Sequence, residues 1–273
     1  MTVLPLFLSA GAGERFCLHH GANPAAPDRG AIVYAHPFAE ELNKSRRMAA
    51  LQARAFAHAG FHVLQIDLYG CGDSSGDFGD ARWHLWQDDL ALAAGWLRQR
   101  CAGPLYLWGL RLGALLALDS LPRLRPDGVI LWQPVTSGQA HLHQFARLQS
   151  AARLFTAPAT AADTHEIAGY AIDPALATAI RACQLAPLPP PCPVLWLELA
   201  PPAAEGAPTL QPASQLVVER WRAAGASVQA VAIRDTPFWN SAEIVEAPAL
   251  LAATLAAAST LAVPKTATAV AAP

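Results

Sequence analysis

Charge is scarce in this chain of 273 residues. Asp, Glu, Lys and Arg together make up 15 %, against 53 % apolar residues, and they sum to a formal net charge of −2. So apolar a composition excludes a disordered chain, and near-neutrality leaves no basic face for a phosphate backbone; no nucleic-acid partner is expected. The five cysteines (Cys17, Cys71, Cys101, Cys183, Cys192) are odd in number and never form C-x-x-C. That argues against a disulfide framework and a structural zinc, and for a reducing, cytoplasmic compartment. No apolar run reaches the roughly 20 residues of a membrane-spanning helix. The Ala/Leu stretch from Ala249 to Val263 falls short and reads as a last helix. The opening run Val3–Leu8 lacks a basic leader and is broken by Pro5, so it reads as a first strand and not as a signal peptide.

What is there is an alternation of short β-rich runs with helical patterns, the signal for a mostly parallel sheet with crossover helices. Strands are expected at Leu4–Leu8, Arg15–His19, Ala31–Ala35, His62–Asp67, Pro104–Trp108, Gly128–Trp132, Pro193–Leu199 and Ser227–Ile233. Most are continuous apolar runs, as strands buried on both faces should be. Helices are expected at Ser45–Ala59 with Ser45 as cap, at Trp83–Arg100, from about Leu112, and at Ala213–Ala224. From about Gly138 to Pro191 there is no strand signal, and the stretch ends in a run of prolines. It sits where a small helical cap would be inserted. No internal repeat is present, and an Ala/Pro-rich tail at 259–273 is expected to be disordered.

The informative segment runs from Leu105 to Ala114, where a strand enters Gly109-Leu110-Arg111-Leu112-Gly113 and passes directly into a helix. This is the layout of a nucleophile elbow, whose flanking glycines let strand and helix pack around a strained turn. The side chain normally displayed there is Ser, Cys or Asp; here it is Arg111, which has no nucleophilic lone pair at accessible pH. His36-Pro37-Phe38 follows the first long strand, and Asp67-Leu68-Tyr69-Gly70-Cys71-Gly72-Asp73-Ser74-Ser75-Gly76 follows the next. Together these segments resemble the α/β-hydrolase superfamily. The run His36–Met48, the Gly-Cys-Gly-Asp-Ser-Ser-Gly-Asp turn and the Gly-Leu-Arg-Leu-Gly elbow resemble more narrowly the exosortase A system-associated hydrolase 2 family of exopolysaccharide-producing bacteria. The resemblance covers about residues 1–258. It implies an α/β-hydrolase fold, with a mostly parallel sheet flanked by helices and a cap at about 138–191. It further implies a hydrolase or acyltransferase acting on a glycan- or lipid-linked substrate beside partners of an exosortase and exopolysaccharide system.

The residues themselves are at odds with that activity. In this fold the triad runs Ser, then Asp or Glu, then a His after the last strand. None of the nine histidines lies beyond residue 165, and the last strand is followed by Asp235-Thr236-Pro237-Phe238-Trp239-Asn240. Glu198 or Glu205 is placed to be the acid, with nothing to orient. Gly72-Asp73-Ser74-Ser75-Gly76 satisfies G-x-S-x-G, yet no apolar helix follows it, so Ser74 is not taken as a nucleophile. The residues expected to line a ligand site are Arg111, Leu112, His36, Phe38, Glu41, Asn43, Asp73 and Trp239.

For each, a functional and a structural reading stand side by side. Arg111 either clamps a carboxylate, phosphate or sulfate, or closes the site by pairing with Glu40, Glu41 or Asp73. Lys44, Arg46 and Arg47 read as a solvated helix entrance. Cys71 is either a thiolate activated by His36 or a small residue filling a turn. His141-x-His143 with His165-Glu166 reads as surface histidines and not as a metal set, so no metal or cofactor is expected. Trp108, Trp132, Trp196 and Trp239 either stack on sugar rings or pack the core, and packing is the commoner fate. Three functions stay open: a noncanonical hydrolase or acyltransferase, an anion- or glycan-binding pseudo-enzyme or scaffold, and a Cys71 thiol enzyme. Loss of nucleophile and base together favours the second.

Overall fold

The computed structural model describes residues 2–153, 166–167, 169–185, 189–202 and 206–261. Their ten strands and eight helices begin with a hairpin, β1 (Val3–Ser9) and β2 (Glu14–His20), followed by β3 (Ala31–Ala35) and helix α1 (Glu40–His58). Next come β4 (His62–Ile66), α2 (Trp83–Arg98), β5 (Leu105–Leu110), α3 (Leu112–Asp119), a short α4 (Leu121–Leu124) and β6 (Gly128–Trp132). Between β6 and the next strand of the sheet lie α5 (Gly138–Arg153), a hairpin of β7 (Glu166–Ile167) with β8 (Tyr170–Ala171), and α6 (Pro174–Ala182). The chain closes with β9 (Val194–Ala200), α7 (Pro212–Ala223), β10 (Val228–Arg234) and α8 (Pro248–Leu261).

Eight strands form one sheet in the order β1-β2-β4-β3-β5-β6-β9-β10, antiparallel at β1–β2 and β2–β4 and parallel elsewhere. This is the α/β-hydrolase fold that the motifs imply. Side chains alternate across it, as the twofold period of a strand requires. Val33, Leu107 and Leu131 join the core under α2, α3 and α7, while Ile32, Tyr34, Trp108 and Trp132 join the core under α1 and α8. Both faces are therefore covered by helices, and β3, β5 and β6 are buried at every position.

Several boundaries differ from expectation for identifiable reasons. Helix α1 begins at Glu40, so Ser45 lies inside it, fully buried, and is no cap. The acidic pair Glu40 and Glu41 opens the helix instead, where the helix dipole favours negative charge. The β7–β8 hairpin was not legible because its strands are two residues long. Helix α6 starts where its capping chemistry says, with Asp173 accepting from the Ala175 N–H at 2.7 Å and Pro174 in the first turn. Helix α8 reaches Leu261, three residues past the expected domain boundary, and the tail from 262 onward lies outside the described residues.

The parallel register brings the carboxyl ends of β3, β5 and β6 level, Ala35 facing Gly109 and Leu110 facing Trp132. The helix leaving β5 packs so tightly there that a Cβ on Gly113 would lie 2.2 Å from the Ala35 carbonyl oxygen and 2.4 Å from that of His36. Gly113→Ala is therefore expected to lower stability by about 2 kcal/mol or more. By contrast, Gly95→Ala, within α2 and with nothing inside 4 Å of the new atom, should raise it by about 1 kcal/mol. Urea denaturation of both variants checks the contrast, and a neutral Gly113→Ala would refute the packing described.

Candidate functional site

Arg111 stands between β5 and α3 with φ 55 and ψ −119, a conformation that a residue with a Cβ rarely adopts. Its N–H donates to the Trp132 carbonyl at 3.0 Å, and its own carbonyl accepts from the Ala114 and Val135 N–H groups at 3.1 and 3.3 Å. The strained turn is thus pinned on three sides. Leu112 follows as the first residue of α3, where its N–H has no intrahelical partner. Ala39, directly before α1, repeats nearly the same backbone conformation at φ 50, ψ −128.

The guanidinium is mostly buried. Its Nε donates to Glu41 Oε1 at 3.1 Å, with side-chain exposures of 13 % and 10 %, and its carbon lies 5.4 Å from the centre of the Trp239 ring. Among the described residues the two Nη groups have no hydrogen-bond partner, and neither does the buried Glu41 Oε2. Burial pushes the Glu41 carboxyl up, against the pull of the Arg111 charge and hydrogen bond. Of the three acidic partners considered for Arg111, geometry selects Glu41. Asp73 is exposed and offers only its N–H, to Asp67, and Glu40 is held by Asn43 and by the Tyr170 hydroxyl. Asn43 is likewise exposed and donates to Glu40.

The other expected residues act mainly as struts. His36 Nδ1 bonds the Pro37 carbonyl at 2.8 Å and Nε2 accepts from the Leu68 N–H at 3.2 Å, which fixes one neutral tautomer. Burial pushes this imidazole down. Both ring nitrogens are engaged, so His36 supplies Cys71 with no base. Burial, with the carboxylates of Asp67 and Asp89, pushes the Cys71 thiol far above its ordinary 9.0. The two residues line one small apolar cavity, about 10 Å³, together with Phe38 and Leu112. Ser74 is structural, its hydroxyl donating to the Asp67 carbonyl and accepting from the Phe16 N–H. Glu198 accepts from the Trp196 indole and the Gln211 N–H, both at 2.9 Å, tying β9 to the start of α7. Glu205 and His165 lie outside the described residues.

Three further readings are corrected. Trp108, Trp132 and Trp196 are almost fully buried in the two cores, so they offer no sugar platform, while Trp239 packs beside Arg111. Arg46 is not merely solvated, since it makes a two-pronged pair with Asp67 at 3.2 and 3.1 Å. His141 is buried at 3 % exposure, with its ring 6.0 Å from Phe38 and 5.8 Å from Phe145, whereas His143 is exposed. The two histidines therefore face apart, and no cluster of three metal-ligating side chains exists among the described residues. The sequence reading missed His141 as a buried residue near Arg111. The available signal was the His141, Leu142 and Phe145 stripe, which marks the inward face of α5.

At the end of β10, where the fold places its base, Asp235 accepts from the Ala249 N–H at 2.8 Å and so caps α8. No helix among the described residues is long and apolar enough to cross a membrane.

Comparison with known proteins agrees with this architecture. A family model described as Serine aminopeptidase, S33, matches residues 26–182, more than half of the chain. The zebrafish (Danio rerio) lysophosphatidylserine lipase ABHD12 is 32 % identical over 123 residues, which is 42 % of this chain and 31 % of that protein; the match thus spans about a third of this relative. XC6422 from Xanthomonas campestris, described as an a/b serine hydrolase without lid, superposes with TM-score 0.59 at 20 % identity, covering 97 % of this chain and 96 % of its own. Est1E from Butyrivibrio proteoclasticus, solved with ferulic acid, gives 0.64 at 15 % identity, covering 93 % and 96 %. At such identities the structures speak for the fold alone.

The buried His141 makes a prediction. Burial and the nearby Arg111 charge push its pKa from 6.5 down to about 3. Below about pH 6.5 the unfolded chain takes up a proton that the folded chain refuses, so stability is lost as pH falls toward 3. At pH 5 the loss relative to pH 8 is about 2 kcal/mol. Denaturation curves at both pH values should show that the drop shrinks by about this amount in His141→Phe; an unchanged drop would place the imidazole in water.

Proposed function

The chain belongs to the serine aminopeptidase S33 family of α/β-hydrolases, and from that premise we propose that it is a non-hydrolytic member which holds an anionic ligand at its elbow. One observation carries this reading: Arg111 occupies the elbow conformation, is tied to Glu41 through Nε alone, and keeps two Nη groups unpartnered among the described residues. A guanidinium has no lone pair with which to attack a carbonyl. The chain also has no histidine after residue 165 to act as base, and Asp235 is engaged in capping α8. Losing nucleophile and base together costs several orders of magnitude in rate. Cys71, with a raised pKa and no base, does not replace them.

What remains at the elbow is a planar donor fork suited to a carboxylate or phosphate, at the strand ends where open α/β sheets take ligands. A curated relative is named for lysophosphatidylserine, an anionic lipid, which supports an anionic glycan- or lipid-linked ligand. The motif resemblance supports a setting among the proteins of a bacterial exosortase and exopolysaccharide system, and the five free cysteines support a cytoplasmic one.

Two measurements test the reading. Hydrolysis of a panel of acyl nitrophenyl esters should stay at the buffer rate for the wild type, Arg111→Ala and Cys71→Ala; wild-type turnover lost in either variant overturns it. Calorimetric titration with glucuronate should show binding that Arg111→Ala weakens at least tenfold, the worth of one charge-assisted contact. Equal affinity for glucose, or for glucuronate in the variant, would contradict an anion site at Arg111.

A further inference from the structure

A second cavity, of about 170 Å³, lies between α1 and the antiparallel flank of the sheet, with His36 lining both it and the small cavity beside Leu112. Its floor is a row across three strands. Leu18 on β2 is in register with Gln65 on β4, and Gln65 with Tyr34 on β3, with Phe16 and Ile66 beside them. Its wall is one face of α1, formed by Leu42, Arg46, Ala49 and Ala50. The two alanines leave the space that longer side chains would fill.

The polar groups on this surface are incompletely satisfied. Tyr34 is only 4 % exposed, yet its hydroxyl has no hydrogen-bond partner among the described residues, and it is not one of the sealed-off polar atoms. It therefore faces the cavity. Gln65 spends its Oε1 on His20 at 2.9 Å, and its Nε2 donates to no described residue. The charges beside them cancel, because Arg46 and Asp67 pair through both Nη groups and both carboxylate oxygens. His36 is the one other polar residue of the lining, and both its ring nitrogens are already engaged; the rest is apolar.

We infer that this cavity is a ligand site for a small neutral alcohol or phenol. The ligand hydroxyl bonds the Tyr34 hydroxyl and accepts from the Gln65 Nε2, while its apolar body lies against Phe16, Leu18, Leu42 and the two alanines. A carboxylate is disfavoured, since the buried Asp67 lies on the wall and its cation partner is already committed.

Benzyl alcohol and phenylacetate are suitable probes, followed by amide chemical shifts of the full chain. Benzyl alcohol should give saturable shifts at Leu18, Gln65 and Ala50, and phenylacetate should give none. Tyr34→Phe should weaken binding about fivefold, the worth of one hydrogen bond. Ala50→Phe, on a half-buried position of the helix, should fill the cavity and abolish the shifts; Ala50→Leu serves if that variant does not fold. Absent or non-saturating shifts, binding unaltered by filling the cavity, or equal binding of phenylacetate would each overturn the inference.

Discussion

The ion pair between Arg111 and Glu41 is the constraint on which the functional end of this molecule depends. A guanidinium at a strained turn, beside the first turn of α3 and within a mostly apolar setting, is tolerable only with a negative partner close by. Glu41 supplies it from the first turn of α1, joining the helices that follow β3 and β5. The carboxylate faces a comparable penalty, since burial raises its pKa and Arg111 lowers it. Each charge makes the other affordable, and neither is fully satisfied, because Glu41 Oε2 and both Nη groups lack partners among the described residues. This incompleteness is what the proposed ligand would satisfy.

Around that pair, His36, Ser74 and Asp235 serve as supports. His36 stitches its loop to Leu68, Ser74 joins the glycine-rich turn to β2, and Asp235 caps the last helix. A buried Arg15–Asp89 pair at 2.6 Å holds β2 against α2, with Asp89 also accepting from the Tyr69 N–H. These bonds tie the loops at the strand ends to the sheet and to α2 and α8.

The sheet was legible in the sequence because parallel strands buried on both faces must be apolar throughout, as in Ala31–Ala35 and Gly128–Trp132. The elbow was legible because only glycine fits where Gly113 meets the carbonyls of Ala35 and His36. What was not legible depends on contacts far apart in the chain. Nothing local distinguishes Glu41 from Glu40 or Asp73 as the partner of Arg111, 70 residues away. His141 looked like a surface residue until α5 was laid over Phe38. The early start of α1 and the two-residue strands β7 and β8 were lost for a different reason, a signal too short to outweigh its neighbours.

The measurement that tests this account most directly is a double-mutant cycle on stability, with Arg111→Met, Glu41→Gln and both together. If the pair is formed and largely desolvated, the coupling should be about 1–3 kcal/mol, each single variant costing more than its share of the double. A coupling below about 0.3 kcal/mol would mean that the two charges are independent. The elbow would then have no structural need of Glu41, and Arg111 would be a surface cation without the role assigned to it.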